Sequence, residues 1–300
     1  MDGRLGQLKQ KHNAVILAHN YQRPEVQDVA DYVGDSLGLA MQASETNADT
    51  VVFCGVDFMA ETAKILNPDK TVVHPNEEAR CPLAAMVDVE GLQALKEKHP
   101  SAGVVSYVNT TAEVKAASDI CCTSSNAVKA IKSLAEETII FVPDEHLGRY
   151  AQRFLPDRNL ILWPGICPTH HTITAEDIQA LQHEHPSAKT MVHPECRPAV
   201  IDLADEVLST GGMIRDARYG DADAFIVGTE KELCHRLSTE CPDKRFHPIH
   251  KACCPNMKKI TLEKVLKSIE TLTPTVSLSR RVIKEARRPL QRMMDMGRGD

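Results

Sequence analysis

The sequence predicts an α/β fold of three small domains with parallel sheets, which can sit around a pseudo-threefold axis. Runs of β-branched and aliphatic residues alternate with segments of helical pattern, as is typical of parallel sheets with helices on both faces. Chemically similar residues also recur three times, at intervals of 84 to 90 residues. A chain of 300 residues can hold two domains of average size or three small ones.

The first unit shows the alternation most clearly. We expect a strand at 15–17, a polar loop, and a helix over 26–43. A strand at 50–53, a turn at 55–57, a helix over 59–66 and a strand at 71–73 follow. The strands expected at 104–108 and 190–192 begin the same pattern again in the second and third units.

Four series of polar or cysteine residues define the repeat. The first ends a strand, the second lies between a strand and a helix, the third follows another strand, and the fourth precedes a proline. In chain order they are His19, Asn109 and His193; Ser36, Ser124 and Thr210; Asp57, Asp144 and Glu230; and Cys81, Cys167 and Cys254. Parallel sheets bind ligands at the carboxyl ends of their strands, so the strand-end polar groups, the hydroxyls and the cysteines can converge on one cavity if those ends face the axis.

The repeat also sets the expected domain boundaries, at 1–88, 89–173 and 174–256. The tail, 257–300, is expected to complete the first domain, because that domain carries both chain ends. The basic residues of the tail indicate either an anion- or nucleic-acid-binding patch or the solvated face of a helix. The helical period of its apolar residues favours the solvated face.

Composition excludes several classes of protein. Apolar residues make up 42% and charged residues 25%, the balance of a globular chain rather than a disordered one. The net charge of −6 disfavours general nucleic-acid binding. No apolar run has the length of a membrane span, and the polar, lysine-rich beginning is unlike a secretory signal. Ten cysteines outside a short scaffold indicate a reducing, cytoplasmic location with mostly buried thiols.

The cysteine series Cys81, Cys167 and Cys254 suits a metal centre. Thiolate is the soft ligand that zinc and iron–sulfur centres prefer. Three ligands, one per domain, fit a [4Fe–4S] cluster with one iron open to substrate as a Lewis acid. A zinc site with three thiolates, or three buried thiols preserved by duplication, are the alternatives.

The hydroxyl series allows two interpretations. Ser36, Ser124 and Thr210 can each cap a helix. Alternatively, three helix N-termini around one cavity bind anions, so the substrate carries two carboxylates, or a carboxylate and a phosphate.

The strand ends carry a polar–x–polar pattern that points to proton chemistry. The pairs are His19 with Tyr21, Tyr107 with Asn109, and His193 with Glu195. Alternate residues of an extended segment point the same way, so each pair can face one cavity. Glu195 is a candidate general base and Tyr21 a candidate proton relay. The alternative is that the histidines are ordinary surface or core residues.

The sequence resembles the quinolinate synthase (quinolinate synthetase A-protein) family of de novo NAD biosynthesis over nearly its whole length. The segments that carry the resemblance are Ala18-His19-Asn20-Tyr21-Gln22, Val33-Gly34-Asp35-Ser36, Gly55-Val56-Asp57-Phe58-Met59-Ala60-Glu61, Ile65-Leu66-Asn67-Pro68, Tyr107-Val108-Asn109, His193-Pro194-Glu195-Cys196 and Asn256-Met257-Lys258-Lys259. The resemblance implies three αβα-sandwich domains about a pseudo-threefold axis. It also implies a transferase that condenses iminoaspartate with dihydroxyacetone phosphate to quinolinate, releasing phosphate and two waters.

The resemblance assigns roles to particular residues. It implies that Cys81, Cys167 and Cys254 hold a [4Fe–4S] cluster whose fourth iron binds substrate. Tyr21 and Glu195 resemble proton-transfer residues, and His170 and His193 complete the expected catalytic set. His170 is preferred to His171 because it keeps the C-P-x-H spacing. The residues expected to line the substrate pocket are His19, Ser36, Tyr107, Asn109, Ser124, His193, Glu195 and Thr210.

Two other functions remain as alternatives. One is a [4Fe–4S] hydro-lyase acting on a dicarboxylic acid, and the other is a non-catalytic iron–sulfur sensor. The sensor would not need the paired polar residues at the strand ends. For the synthase, an aspartate oxidase or dehydrogenase is the expected functional partner, because iminoaspartate must be supplied. We expect no nucleic-acid or membrane partner.

Overall fold

The computed structural model describes residues 2–300, so Met1, the first position of the expected first domain, lies outside the described residues. Three four-stranded parallel sheets form the framework. The strands of the first sheet are β1 (Ala14–His19), β2 (Tyr32–Gly34), β3 (Thr50–Cys54) and β4 (Thr71–Val73). The second sheet contains β5 (Gly103–Tyr107), β6 (Ile120–Cys122), β7 (Thr138–Val142) and β8 (Asn159–Leu162). The third contains β9 (Lys189–Val192), β10 (Glu206–Val207), β11 (Ala224–Gly228) and β12 (Arg245–Pro248).

Helices connect the strands and cover the sheets. In chain order they are α1 (Asp2–Lys11), α2 (Pro24–Gln27), α3 (Ser36–Glu45), α4 (Asp57–Leu66), α5 (Val89–Lys98), α6 (Ala112–Ala116), α7 (Ala127–Lys132), α8 (Glu145–Gln152), α9 (Pro168–His171), α10 (Ala175–Glu184), α11 (Pro198–Ile201), α12 (Thr210–Tyr219), α13 (Leu233–Glu240), α14 (Leu262–Thr271) and α15 (Arg280–Met296). Two short 3₁₀ helices, Ala84–Met86 and Met257–Lys259, follow two of the Cys-Pro pairs. The predicted α/β class, with three αβα units, is confirmed.

All three sheets have the same strand order. The order is β2-β1-β3-β4 in the first sheet, β6-β5-β7-β8 in the second and β10-β9-β11-β12 in the third. In each, the chain leaves the first strand to one side and returns on the other. This reversal opens a crevice at the carboxyl ends of the two central strands, which is where such sheets bind ligands. His19 ends β1, and Asn109 and His193 follow β5 and β9.

The two faces of each sheet belong to different parts of the core. In β1, Val15 and Leu17 join the large central cluster that all three units share, whereas Ile16 and Ala18 join a separate cluster. Successive side chains of a strand point to opposite faces, which explains this division. The central strands are buried along their length, as parallel strands covered by helices must be.

The prediction of a single helix over 26–43 is wrong. This segment forms α2, the edge strand β2 and α3, and Val33 of β2 pairs with Ala18 of β1. The helix cannot run through because Asp35 has an extended backbone, and its side chain accepts the N–H of Gly38 as the N-cap of α3.

The two long helices of the tail, α14 and α15, pack mainly against the first and second units. Val265 and Ile269 of α14 pack in the cluster on the outer face of the first sheet. Helix α15 packs against α6 and β6 of the second unit and against α4 of the first. Its basic side chains lie mainly on the exposed side, opposite the buried Val282, Ala286 and Leu290. The expected boundaries at 88 and 173 lie between the sheets, the one at 256 follows the third sheet, and all three remain predictions. None of the helices between residues 2 and 300 has the length and apolar character needed to cross a bilayer.

Candidate active site

A cavity of about 120 Å³ lies where the carboxyl ends of the three sheets meet. Each unit contributes a strand end, a strand-to-helix loop and a Cys-Pro loop to its wall. Every residue that the sequence nominated lines this cavity: His19, Tyr21, Ser36, Cys81, Tyr107, Asn109, Ser124, Cys167, His170, His193, Glu195, Thr210 and Cys254. The repeat therefore brings the strand-end, hydroxyl and cysteine series together, while the role of each residue remains a proposal.

Each of the three cysteines is held by the acidic residue of its own unit. The backbone N–H of Cys81 donates to Asp57, that of Cys167 to Asp144, and that of Cys254 to Glu230, over 3.0 to 3.2 Å. The acidic residues of the repeat thus fix the loops that carry its cysteines. The spacing of the repeat identifies these acids but assigns them no role.

The surroundings of the sulfurs also repeat. A helical turn follows each Cys-Pro pair, and the backbone N–H three residues later faces the sulfur. Burial raises the pKa of the Cys81, Cys167 and Cys254 thiols, and these N–H groups oppose the rise. Three soft donors from three loops, each aided by an N–H, fit a cluster with three thiolate ligands.

One of these cysteines also belongs to a mixed group of ligand atoms. Single donor atoms of Cys167, His170 and Glu195 lie within 4.8 Å of one another. His170 Nδ1 is 3.2 Å from the Cys167 sulfur and 2.9 Å from Glu195 Oε2. Since the carboxylate accepts only, the shorter contact directs the Nδ1 hydrogen to Glu195. The group therefore acts as a hydrogen-bonded link between the cysteine loop and the polar wall.

The hydroxyl series is not used for helix capping at any of its three positions. Asp35 caps α3 and Ser209 caps α12, so Ser36 and Thr210 are the first residues inside their helices. The N-cap position of α7 is Asn126, two residues after Ser124, so capping is the wrong interpretation for all three. Thr210 accepts a hydrogen bond of 2.9 Å from the Asn20 amide. The N-termini of two ten-residue helices face the cavity at this end and favour anions.

The segment 297–300 ties the three strand-to-helix loops together. It crosses from α15 to loops of all three units. Arg298 donates to the Asp35 carboxylate, the Gly299 N–H to the Ser125 carbonyl, and the Ser209 N–H to the Asp300 carboxylate. Each contact lies within one residue of Ser36, Ser124 or Thr210, so the segment braces the wall that these hydroxyls form.

Glu195 is the centre of the polar wall. Its Oε2 lies 2.9 Å from His170 Nδ1 and 3.2 Å from His193 Nδ1, and the two rings stack at 4.6 Å. Burial alone would raise the pKa of Glu195, but the two imidazoles outweigh it and hold the pKa below its usual range. Burial lowers the pKa of His193. Glu195 is thus an ionised acceptor that orients two histidines.

Tyr21 faces this wall from the first unit. Its hydroxyl lies 2.6 Å from Thr229 Oγ1 and 3.4 Å from His170 Nε2. Burial, with Glu195 nearby, raises the pKa of the phenol well above its ordinary value. Tyr21 therefore carries its proton at neutral pH and can donate it.

The positively charged side chains near the site form ion pairs with acidic residues of the cavity wall. Among the described residues, no lysine or arginine lines the cavity. Lys258 Nζ pairs with Glu230 at 2.9 Å, and Arg298 pairs with Asp35. An anionic ligand must therefore be held by hydroxyls, imidazoles and backbone N–H groups.

Neighbouring candidates lie outside the cavity. His171 stacks on His146 with ring planes 4° apart, and Cys253 does not line the cavity that Cys254 lines. The Cys121–Cys122 pair is buried in β6. Thr229 and Lys258 were not expected at the site; the Thr-Glu pair directly after β11 was the available signal for Thr229.

The family model and the similar proteins that match this chain all belong to one family. The family model described as Quinolinate synthetase A protein matches residues 3–295. A protein of Methanoregula boonei named quinolinate synthase is 54% identical over 288 residues, which cover 96% of this chain and 95% of the relative. Quinolinate synthases of Methanosarcina barkeri and Thermodesulfovibrio yellowstonii are 52% and 51% identical, with at least 96% of each chain covered.

Proposed function

Because the chain belongs to the quinolinate synthetase A protein family and is an enzyme of NAD biosynthesis, we propose that it condenses iminoaspartate with dihydroxyacetone phosphate. The products are quinolinate, phosphate and two waters, so the reaction needs no external oxidant or reductant. The observation that carries the proposal is the single cavity on which three cysteines, three hydroxyls and the Tyr21–His170–Glu195 group converge.

The hydroxyl end of the cavity is the proposed site for the anionic groups of the substrates. Ser36 and Thr210 stand at helix N-termini, where free N–H groups and the helix dipole favour carboxylate and phosphate. Ser124 lines the same cavity from the second unit. Two carboxylates and one phosphate can thus be held by N–H and hydroxyl donors, without an arginine among the described residues that line the cavity.

The strand ends are the proposed site for the nitrogen of iminoaspartate. Asn109 Oδ1 is buried and has no hydrogen-bond partner in the part of the chain that the structure describes. A buried acceptor without a partner is costly, and a substrate N–H or O–H satisfies it. Tyr107 and His19 close this side of the cavity.

Proton transfer is assigned to Tyr21, His170, His193 and Glu195. Enolisation of the triose needs a base, and loss of water needs an acid. A carboxylate with a lowered pKa is a weak base, so Glu195 serves by supporting a proton on His170 or His193. Tyr21, protonated at neutral pH, serves as the acid.

Cys81, Cys167 and Cys254 would hold a [4Fe–4S] cluster. When bound, the cluster supplies a Lewis-acidic iron without a protein ligand, which polarises a substrate hydroxyl or carboxylate. The chain's own residues do the rest: Asp57, Asp144 and Glu230 fix the cysteine loops at that wall.

The proposed setting follows from the same chemistry. An enzyme that oxidises aspartate at its amine carbon, an oxidase or a dehydrogenase, must supply iminoaspartate. We also propose a cytoplasmic location, where thiols stay reduced and available to iron.

The test is a reconstitution experiment. Protein purified without oxygen and loaded with iron and sulfide should convert iminoaspartate and dihydroxyacetone phosphate to quinolinate, with one phosphate released per quinolinate. Cluster-loaded protein that forms no quinolinate contradicts the proposal. Hydration or dehydration of a dicarboxylic acid without condensation would instead support the hydro-lyase alternative.

A further inference from the structure

We propose that Thr229 is a positioning residue that fixes the phenolic hydroxyl of Tyr21 against the imidazole of His170. The inference deepens the proposed function and rests on it, because Tyr21 is the proposed acid of that reaction. Thr229 itself does not line the cavity and is fully buried. It therefore acts through its two partners and not on the substrate.

The Thr229 hydroxyl bridges residues of the other two units. Its Oγ1 lies 2.6 Å from Tyr21 Oη and 2.8 Å from His170 Nε2. The direct contact between Tyr21 Oη and His170 Nε2 is longer, at 3.4 Å. The two short contacts of Thr229 therefore determine how the Tyr21 hydroxyl and the His170 ring lie relative to each other. The longer contact between Tyr21 and His170 results from them.

Hydrogen counting gives the bridge a direction. Glu195 only accepts, so the Nδ1 of His170 that faces it carries the hydrogen. In the neutral imidazole, Nε2 then accepts, and Thr229 donates to it. Thr229 has one hydrogen only, so Tyr21 must donate to Thr229. The phenolic hydrogen is thus held at one position instead of rotating.

The repeat shows that this hydroxyl is not required by the fold. Thr229 directly precedes Glu230, and the positions before the matching acids Asp57 and Asp144 hold Val56 and Pro143. Val56 is buried at the same place in the first unit. Valine has nearly the shape of threonine, so the backbone here tolerates a side chain without a hydroxyl. The hydroxyl occurs in the unit whose neighbours are Tyr21 and His170.

Tyr21 is otherwise held at its backbone carbonyl and at its ring. Lys258 donates to the Tyr21 carbonyl, while the side chain of His19 packs edge-on against the Tyr21 ring with centroids 4.6 Å apart. These contacts place the ring but not its hydroxyl hydrogen. Thr229 supplies that remaining constraint.

The test compares Thr229→Val and Thr229→Ser in the cluster-loaded enzyme. Thr229→Val should lower kcat roughly 10- to 100-fold with KM nearly unchanged, because misaligned acid groups slow the chemical step more than binding. Thr229→Ser keeps the hydroxyl and should restore most of kcat. Thr190→Val removes another buried hydroxyl of the third sheet, which contacts Gln182, and should leave kcat unchanged. Unchanged kcat in Thr229→Val overturns the inference.

A second measurement is independent of quinolinate formation. The chain has five tyrosines, so ¹³Cζ-labelled tyrosine gives five signals, and Tyr21→Phe identifies one of them. Thr229→Val should shift the Tyr21 signal in the full chain before cluster loading, and Thr229→Ser should return it towards wild type. An unmoved signal overturns the inference. A shifted signal in a wild-type chain that forms no quinolinate supports the bridge and contradicts the proposed function instead.

Discussion

The guanidinium of Arg298 donates two hydrogen bonds to the carboxylate of Asp35, 263 residues earlier in the chain. Burial alone would raise the pKa of Asp35, but the hydrogen bonds and charge of Arg298 outweigh it and lower the pKa. The same carboxylate caps α3 through the Gly38 N–H. This pair therefore holds the helix N-terminus at which Ser36 stands.

Arg298→Met should destabilise the fold by about 2 kcal/mol, because it leaves a buried carboxylate without its partner. The arginine side chain is 31% exposed, which keeps the expected cost below that of a fully buried pair. Chemical denaturation at pH 7 measures the effect. Arg281→Met, which breaks an exposed pair with Glu285, should cost less than about 0.5 kcal/mol.

The pH dependence of this effect has a definite sign. The pKa of Asp35 is lowered in the folded state, so its pairing contributes stability above the ordinary value of 3.8. That contribution disappears as the pH falls through the lowered pKa. The difference between wild type and Arg298→Met should shrink below pH 3.8, and an unchanged difference there would exclude Asp35 as the cause.

Cys81→Ser, Cys167→Ser and Cys254→Ser should each lower bound iron and sulfide sharply, since a hydroxyl is a poor replacement for thiolate. Iron and acid-labile sulfide analysis after anaerobic loading measures this. Cys253→Ser is the matched control and should bind a nearly normal amount. If Cys253→Ser loses the cluster while Cys254→Ser keeps it, the third ligand has been assigned to the wrong cysteine.

Asp57→Ala should weaken cluster binding roughly 10- to 100-fold, the usual effect of removing a group that orients a ligand. The carboxylate accepts the N–H groups of Cys81 and Phe58, and both would lose their partner. Asp57→Asn keeps one acceptor oxygen and should bind more strongly than Asp57→Ala. Titration of the loaded proteins with an iron chelator compares how strongly each variant retains its iron. Equal retention by Asp57→Ala and wild type would argue against this role.

Glu195→Gln should reduce turnover by roughly 10²-fold or more, because it removes the charge that orients and supports His170 and His193. The amide keeps the size of the side chain, so a dicarboxylate should still bind in calorimetry. Near-normal turnover of this variant would remove Glu195 from the mechanism.

His19 should make the fold sensitive to acid. Burial lowers its pKa from 6.5 to about 4, with His193 and Lys258 adding to the effect and Asp35 and Glu195 opposing it. Between pH 6.5 and 4 the unfolded chain binds more protons than the folded one, so stability is lost as the pH falls. Wild type should lose about 3 kcal/mol relative to His19→Gln between pH 7 and 4. Parallel denaturation curves at each pH test this.

The sequence allowed the cavity wall to be predicted but not all of its contacts. Cys81, Cys167 and Cys254 lie on one cavity because duplication repeats the phase of each strand, and parallel sheets end their strands on one side. Their roles, like those of the other nominated residues, remain predictions. Strand β2 was missed because three residues at a sheet edge carry too little pattern.

Other contacts had no local signal. Arg298 reaches Asp35 across almost the whole chain, and no spacing rule relates them. Thr229 has no partner in the repeat, so a search for threefold recurrence passes over it. Ser209, not Thr210, caps α12 because the helix begins at Thr210. Sequence pattern does not fix the first residue of a helix to within one position.

The shared cysteine geometry and the differing residues beside it have a consequence for symmetry. Each unit brings a single cysteine to the cavity, so a separate unit could bring three together only by associating with two further copies of itself. Such a homotrimer repeats every side chain around its axis and must surround the ligand with identical groups. A single chain is free of that constraint. The position before the acidic residue holds Val56, Pro143 and Thr229 in the three units, so their surroundings can differ and suit an asymmetric ligand.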